Sequence, residues 1–107
     1  MPILKNNATL KDVQNYVAKI EVERQHDHEA IAKKFLMLME EVGELMIANR
    51  KKPHTIKPDH NPKFASIDEE LADILNYICS IANRFGVDLE TAFRNKEEIN
   101  KRRLNNK

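Results

Sequence analysis

The sequence is poor in chain breakers, with two glycines and four prolines in 107 residues, where average usage would supply about twelve per hundred. Pro53, Pro58 and Pro62 fall together, and no proline occurs between Ile3 and Lys52 or between Lys63 and Lys107. An all-β sandwich or barrel needs turn chemistry every ~8–12 residues, and a Rossmann or P-loop site needs clustered glycines. Both are excluded. Tryptophan is absent and Cys79 is the single cysteine, so there is neither a disulfide framework nor a CxxC zinc signature. A reducing, intracellular setting is expected. The longest apolar run, Phe35-Leu-Met-Leu-Met39, falls far short of the ~20 residues of a membrane span. The opening Met-Pro-Ile-Leu-Lys-Asn-Asn lacks signal-peptide architecture, and a cytoplasmic location without membrane contact is expected. No sign of charge dominates either: 18 Lys+Arg against 17 Asp+Glu leave a net +1, which gives no global reason for a nucleic-acid partner.

What is present is helical periodicity, interrupted once. The length suits one domain over residues 1–107. The spacing predicts four helices, over about 9–25, 28–50, 66–85 and 88–104. Thr9 can cap the first, whose apolar positions Leu10, Val13, Val17 and Ile20 follow the helical period. Ser66-Ile-Asp-Glu69 reads as a capping box for the third, and Gly86 as the left-handed residue that ends it. Helices two and three are apolar around most of their circumference, so they are expected at the centre of the structure, packed antiparallel and forming an oligomer interface. The connector from about Lys51 to Ala65 is polar, basic and proline-rich. It is longer than most helix–helix links, and reads as a solvated loop or, through His54 and His60, a lid.

Carboxylates on these two apolar helices are the informative anomaly. Glu41 and Glu44 stand three apart and share a helical face, as do Glu70 and Asp73. On antiparallel helices the two pairs can point into one cleft. Four carboxylates there could not all stay ionised without a cation, and hard oxygen donors in that number suit Mg²⁺ or Mn²⁺. By spacing alone, a solvated acidic face accounts for the pairs equally well. Gly43, between Glu41 and Glu44, costs about 1 kcal/mol relative to Ala in a helix, and close approach by a ligand or backbone would explain it.

The order Glu40-Glu41-Val-Gly-Glu44, a spacer of twenty-five residues, then Glu70-Leu-Ala-Asp73 resembles the EExxE…ExxD pattern of the MazG-like all-α nucleoside triphosphate pyrophosphohydrolases, relatives of dCTP pyrophosphatases and dimeric dUTPases. Ile74-Leu75-Asn76-Tyr77 and Lys96-Glu-Glu-Ile-Asn100-Lys-Arg-Arg103 extend the resemblance over about residues 30 to 103. It implies a four-helix MazG-like bundle that assembles as a homodimer or dimer of dimers. It implies Mg²⁺, with Mn²⁺ as a substitute, on Glu41, Glu44, Glu70 and Asp73. It also implies hydrolysis of a nucleoside triphosphate to the monophosphate and pyrophosphate. Lys96 and Arg103 can supply positive charge to the phosphates, Asn100 a hydrogen bond to phosphate or sugar, and Tyr77 a surface on which base or sugar stacks. A core tyrosine and a basic last turn favoured by the helix dipole are the plainer readings of those positions. Lys33 and Lys34, two turns before Glu41, are secondary candidates for a phosphate contact. Glu40 or one of the four carboxylates could orient the attacking water. The tryptophan expected in dCTP-preferring relatives is missing, which leaves the base open.

A different class of function is a small helical DNA-binding or antitoxin-like module without catalysis, using Arg94, Lys96, Lys101, Arg102, Arg103 and Lys107 on phosphates. Glu97 and Glu98 dilute that basic surface, and the paired carboxylates would go unexplained. A di-iron bundle needs two Glu-x-x-His units, and the chain has one, Glu23-Arg-Gln-His26.

Overall fold

The computed structural model describes residues 1–51 and 66–105 and contains four α-helices, with no strand among the described residues. They are α1 (Leu10–Glu23), α2 (Ile31–Lys51), α3 (Ile67–Phe85) and α4 (Leu89–Asn105). The chain is all-α, as expected. Of the lid or loop expected at Lys51–Ala65, Lys51 ends α2, and the rest, with His54 and His60, lies outside the described residues.

Local chemistry sets most helix ends. Thr9 Oγ1 accepts from the Asp12 N–H at 3.1 Å while Asp12 Oδ2 accepts from the Thr9 N–H at 2.9 Å, a complete capping box. At Ser66 only the first half is seen among the described residues. Its Oγ accepts from the Glu69 N–H at 3.5 Å, and its hydroxyl donates to Asp68 Oδ1. Gly86 has φ 66° and ψ 29°. With it, the Val87 N–H reaches Ala82 O and the Gly86 N–H reaches Asn83 O, the Schellman arrangement that closes a helix. The exit of α1 uses the same device without glycine: Gln25 takes φ 62°, and the N–H groups of Gln25 and His26 reach Val22 O and Glu21 O. Helix α2 starts at Ile31 rather than near His28. The intervening link is held by Arg84, whose Nη2 donates to the carbonyls of Asp27 and Glu29.

Pairings across the helices fix their directions. The Phe35 and Phe85 rings lie 6.3 Å apart, while Glu41 and Glu44 at the middle of α2 meet Glu70 near the start of α3, so α2 and α3 run antiparallel. Helix α1 also runs against α3. Gln14, 6 % exposed, donates through Nε2 to Asn83 Oδ1 at 3.0 Å and Val87 O at 2.6 Å. Its Oε1 accepts from the Leu89 N–H, and Asn83 Nδ2 donates to Gln14 O, each at 3.0 Å. This part-buried amide pair locks α1, the end of α3 and the start of α4 together.

Among the described residues the closed core is small: Val17 and Ile20 of α1, Ala48 of α2, Cys79 and Ala82 of α3. Helix α4 packs on α1 and buries no residue completely. The described residues of one chain therefore do not supply the all-round burial expected of α2 and α3. Met39, Met46, Leu71 and Phe85 are more than half exposed, because α4 covers neither central helix. No described helix is long and apolar enough to cross a membrane.

Candidate active site

The antiparallel pairing brings three of the four expected carboxylates together. One carboxylate oxygen from each of Glu41, Glu44 and Glu70 lies within 4.8 Å of the others. Asp73, one turn beyond Glu70, stands at the margin, where its charge acts on Glu70 and that of Glu44 acts on it. Exposure grades across the group: Glu44 and Asp73 face solvent, Glu41 is half-buried, and Glu70 is 2 % exposed.

These acids lack what the chain gives the half-buried Glu21 and Glu29. Lys34, 4 % exposed, binds Glu21 Oε2 at 2.9 Å and Glu29 Oε1 at 3.4 Å, and Lys33 binds Glu29 Oε2 at 2.6 Å. Among the described residues no Lys, Arg or His pairs with Glu41, Glu44, Glu70 or Asp73. Glu41 Oε2 and Glu70 Oε2 are buried with no hydrogen-bond partner. Buried carboxylate oxygens of this kind cost several kcal/mol unless neutralised. Loss of water around Glu70, then the Glu41 carboxylate against it and the charges of Glu44 and Asp73, push its pKa up to about 8. The Asp73 carboxyl is also raised, by partial desolvation of its oxygens and then by Glu44 and Glu69. An oxygen-only donor set with unpartnered buried oxygens fits a hard divalent cation.

Tyr77 lies one turn beyond Asp73 and is half-buried. Burial raises its phenol pKa, and Glu41, Glu29, Asp73 and Glu40 raise it further, so the ring stands between the acidic cluster and the Lys33–Lys34–Glu29 network. The secondary candidates Lys33 and Lys34 are engaged in that network rather than facing the four acids. Lys96, Asn100 and Arg103 form one exposed stripe on α4. Within one chain, no hydrogen bond or ion pair among the described residues joins them to the carboxylates. The basic surface of α4 is also diluted, since Arg94 pairs with Glu90 at 3.2 Å and Lys101 with Glu98 at 3.6 Å.

Two features escaped the sequence reading. Lys34 shares the inward face of α2 with Leu38, Glu41, Leu45 and Ala48, and that register marks it as a buried lysine. Ser80 sits in the apolar run Ile78-Cys79-Ser80-Ile81, and its Oγ is buried without a partner. A lone hydroxyl one turn past Tyr77 was the available signal.

Comparison with known proteins agrees with the all-α fold. The family model of the MazG nucleotide pyrophosphohydrolase domain matches residues 26–106. dCTP pyrophosphatase 1 of Bos taurus is 34% identical over 104 residues, covering 89% of this chain. The match spans 59% of that relative's length. Two crystal structures of iMazG from Vibrio DAT 722 superpose with a TM-score of 0.69 each. The Ctag form is 33% identical and covers 88% of this chain and 99% of its own. The Ntag form is 32% identical and covers 90% and 97%. The chain belongs to the MazG nucleotide pyrophosphohydrolase family.

Proposed function

We propose that the chain is a metal-dependent nucleoside triphosphate pyrophosphohydrolase, converting an NTP or dNTP to the monophosphate and pyrophosphate. The observation that carries this reading is the set of converging carboxylates, with which no cationic side chain pairs among the described residues and two of whose buried oxygens are unpartnered. Glu41, Glu44, Glu70 and Asp73 would hold Mg²⁺, with Mn²⁺ as a substitute. A bound divalent ion supplies charge stabilisation at the phosphates and lowers the pKa of an attacking water.

The chain's own groups have separable tasks. Glu70, the most buried acid, fixes the floor of the cleft, while the solvent-facing Glu44 and Asp73 leave its mouth open to a polyphosphate. Glu40, outside the cluster, or one of the four acids orients the water as base. Tyr77 offers its ring to base or sugar. Lys96, Asn100 and Arg103 are assigned to the phosphates and sugar, a task suited to three polar groups on one exposed stripe.

The exposed apolar stripes of α2 (Phe35, Met39, Val42, Met46) and α3 (Leu71, Leu75, Ile78, Phe85) support a homodimer or dimer of dimers. Two adjacent helices with unpartnered apolar faces are what a second copy would cover.

Pyrophosphate release from a panel of canonical and damaged nucleotides, with and without Mg²⁺, tests the proposal. Release should require the metal and fall in Glu41→Gln by more than the ~10–100-fold that loss of an outer-shell group costs. Turnover of no nucleotide, or undiminished turnover by the mutant, overturns it.

A further inference from the structure

We propose that the small polar cavity beside Tyr77 receives an exocyclic group at the edge of the substrate's nucleobase, with Ser80 as a specificity-determining residue. This rests on the pyrophosphohydrolase reading above. The cavity is about 20 Å³ and is bordered by Glu21 and Arg24 of α1 with its exit, Lys34 of α2, and Asn76, Tyr77 and Ser80 of α3.

Ser80 is 2 % exposed and its Oγ has no partner. A helical serine ordinarily satisfies its hydroxyl on the carbonyl one turn back, and this one does not. A buried unpaired hydroxyl costs about 1–3 kcal/mol, a cost offset when something enters the cavity. The volume admits roughly one water, so a whole ring is excluded and a single amino or keto group fits. The base would then lie outside against Tyr77 and send only its edge inward.

The walls are polar in a way that suits such an edge. Lys34 Nζ donates to Glu21 Oε2 and to Glu29 Oε1. Its third proton and the second Glu21 oxygen have no partner among the described residues, which leaves a donor and an acceptor on two residues that line the cavity. Nucleobases present the complementary alternation along their hydrogen-bonding edge. The register agrees: Asp73, Tyr77 and Ser80 follow one face of α3, and the seven residues from Asp73 to Ser80 rise roughly 10 Å. Phosphates at the carboxylates would therefore place a nucleoside along Tyr77 with its base toward Ser80.

Specificity constants for dCTP, dUTP, dATP and dTTP, on wild type and Ser80→Ala, test the assignment. Ser80→Ala should fold with an unchanged or higher Tm, since it removes an unpaired hydroxyl. It should shift the dCTP:dUTP ratio of kcat/KM by about tenfold, mainly through KM, as expected when a buried polar group loses its base contact. Glu21→Gln should shift the same ratio. Equal scaling of all four substrates, or no change, overturns the proposal and leaves Ser80 holding a structural water only. Calorimetric binding of dCMP and dUMP decides the question apart from turnover. A Ser80-dependent difference between them supports the cavity, and its absence overturns the cavity even if hydrolysis is observed. Absence of hydrolysis alongside that difference would instead count against the pyrophosphohydrolase reading.

Discussion

Glu70 shows how one side chain can make this fold depend on what it binds. Its carboxyl is enclosed beside Glu41 and near Glu44 and Asp73, with its pKa raised to about 8, whereas in the unfolded chain it titrates near the ordinary value of 4.5. Between those values the native state of the metal-free protein binds the extra proton, so stability falls as pH rises. The contribution is complete below about pH 4.5 and lost by about pH 8. Metal-free protein followed by thermal melts should show a Tm decreasing from pH 5 to 8 on this account. Glu70→Gln, which keeps the shape and cannot ionise, should flatten that slope, and Mg²⁺ should raise the wild-type Tm most at the alkaline end. A wild-type slope unchanged in Glu70→Gln would place the dependence elsewhere.

The helices divide into ends that local chemistry dictates and faces that only tertiary packing decides. Thr9, Ser66 and Gly86 announce their caps because each acts on its own backbone within a few residues. Gln25 announces nothing, although it performs the task of Gly86 at φ 62°. A non-glycine residue in the left-handed region costs about 1–2 kcal/mol, and glycine returns part of that gain through its freedom in the unfolded chain. Gln25→Gly should therefore stabilise the protein by about 0.5–1 kcal/mol in denaturant melts, and Gly86→Ala should destabilise it by about 1 kcal/mol. Beyond the adjacent residues no heavy atom lies within 4 Å of a methyl added at Gly86, so the penalty there is conformational. Convergence of Glu41, Glu44 and Glu70 was legible because spacing puts each pair on one face and antiparallel packing joins the faces. The Lys34 network and the bare hydroxyl of Ser80 were not. Their significance depends on α1 running opposite to α3, which no local pattern in either helix specifies. The docking of α4 on α1 was equally hidden, since its sequence offers no broad apolar stripe.

At the scale of the whole molecule the imbalance is between apolar surface and the chain available to cover it. The core closes around Val17, Ile20, Ala48, Cys79 and Ala82, residues of modest size apart from Ile20. The larger side chains of α2 and α3 stand on an open two-helix face, where Met39 is 71 % exposed and Phe85 is 61 % exposed. The groove between Phe35, Leu38, Ile78 and Phe85 is almost wholly apolar. A 12.5 kDa chain gains little from its interior alone, so burial of that face in a second copy is expected to supply much of its stability. Light scattering should give a mass of at least twice 12.5 kDa, and the Tm should rise with protein concentration, as mass action requires when folding and association are coupled. Met39→Lys with Leu75→Glu, two charges placed on the face and away from the carboxylate cluster, should give a monomer with a lower Tm that no longer depends on concentration. A wild-type monomer that melts independently of concentration would show that α2 and α3 stand uncovered in solution.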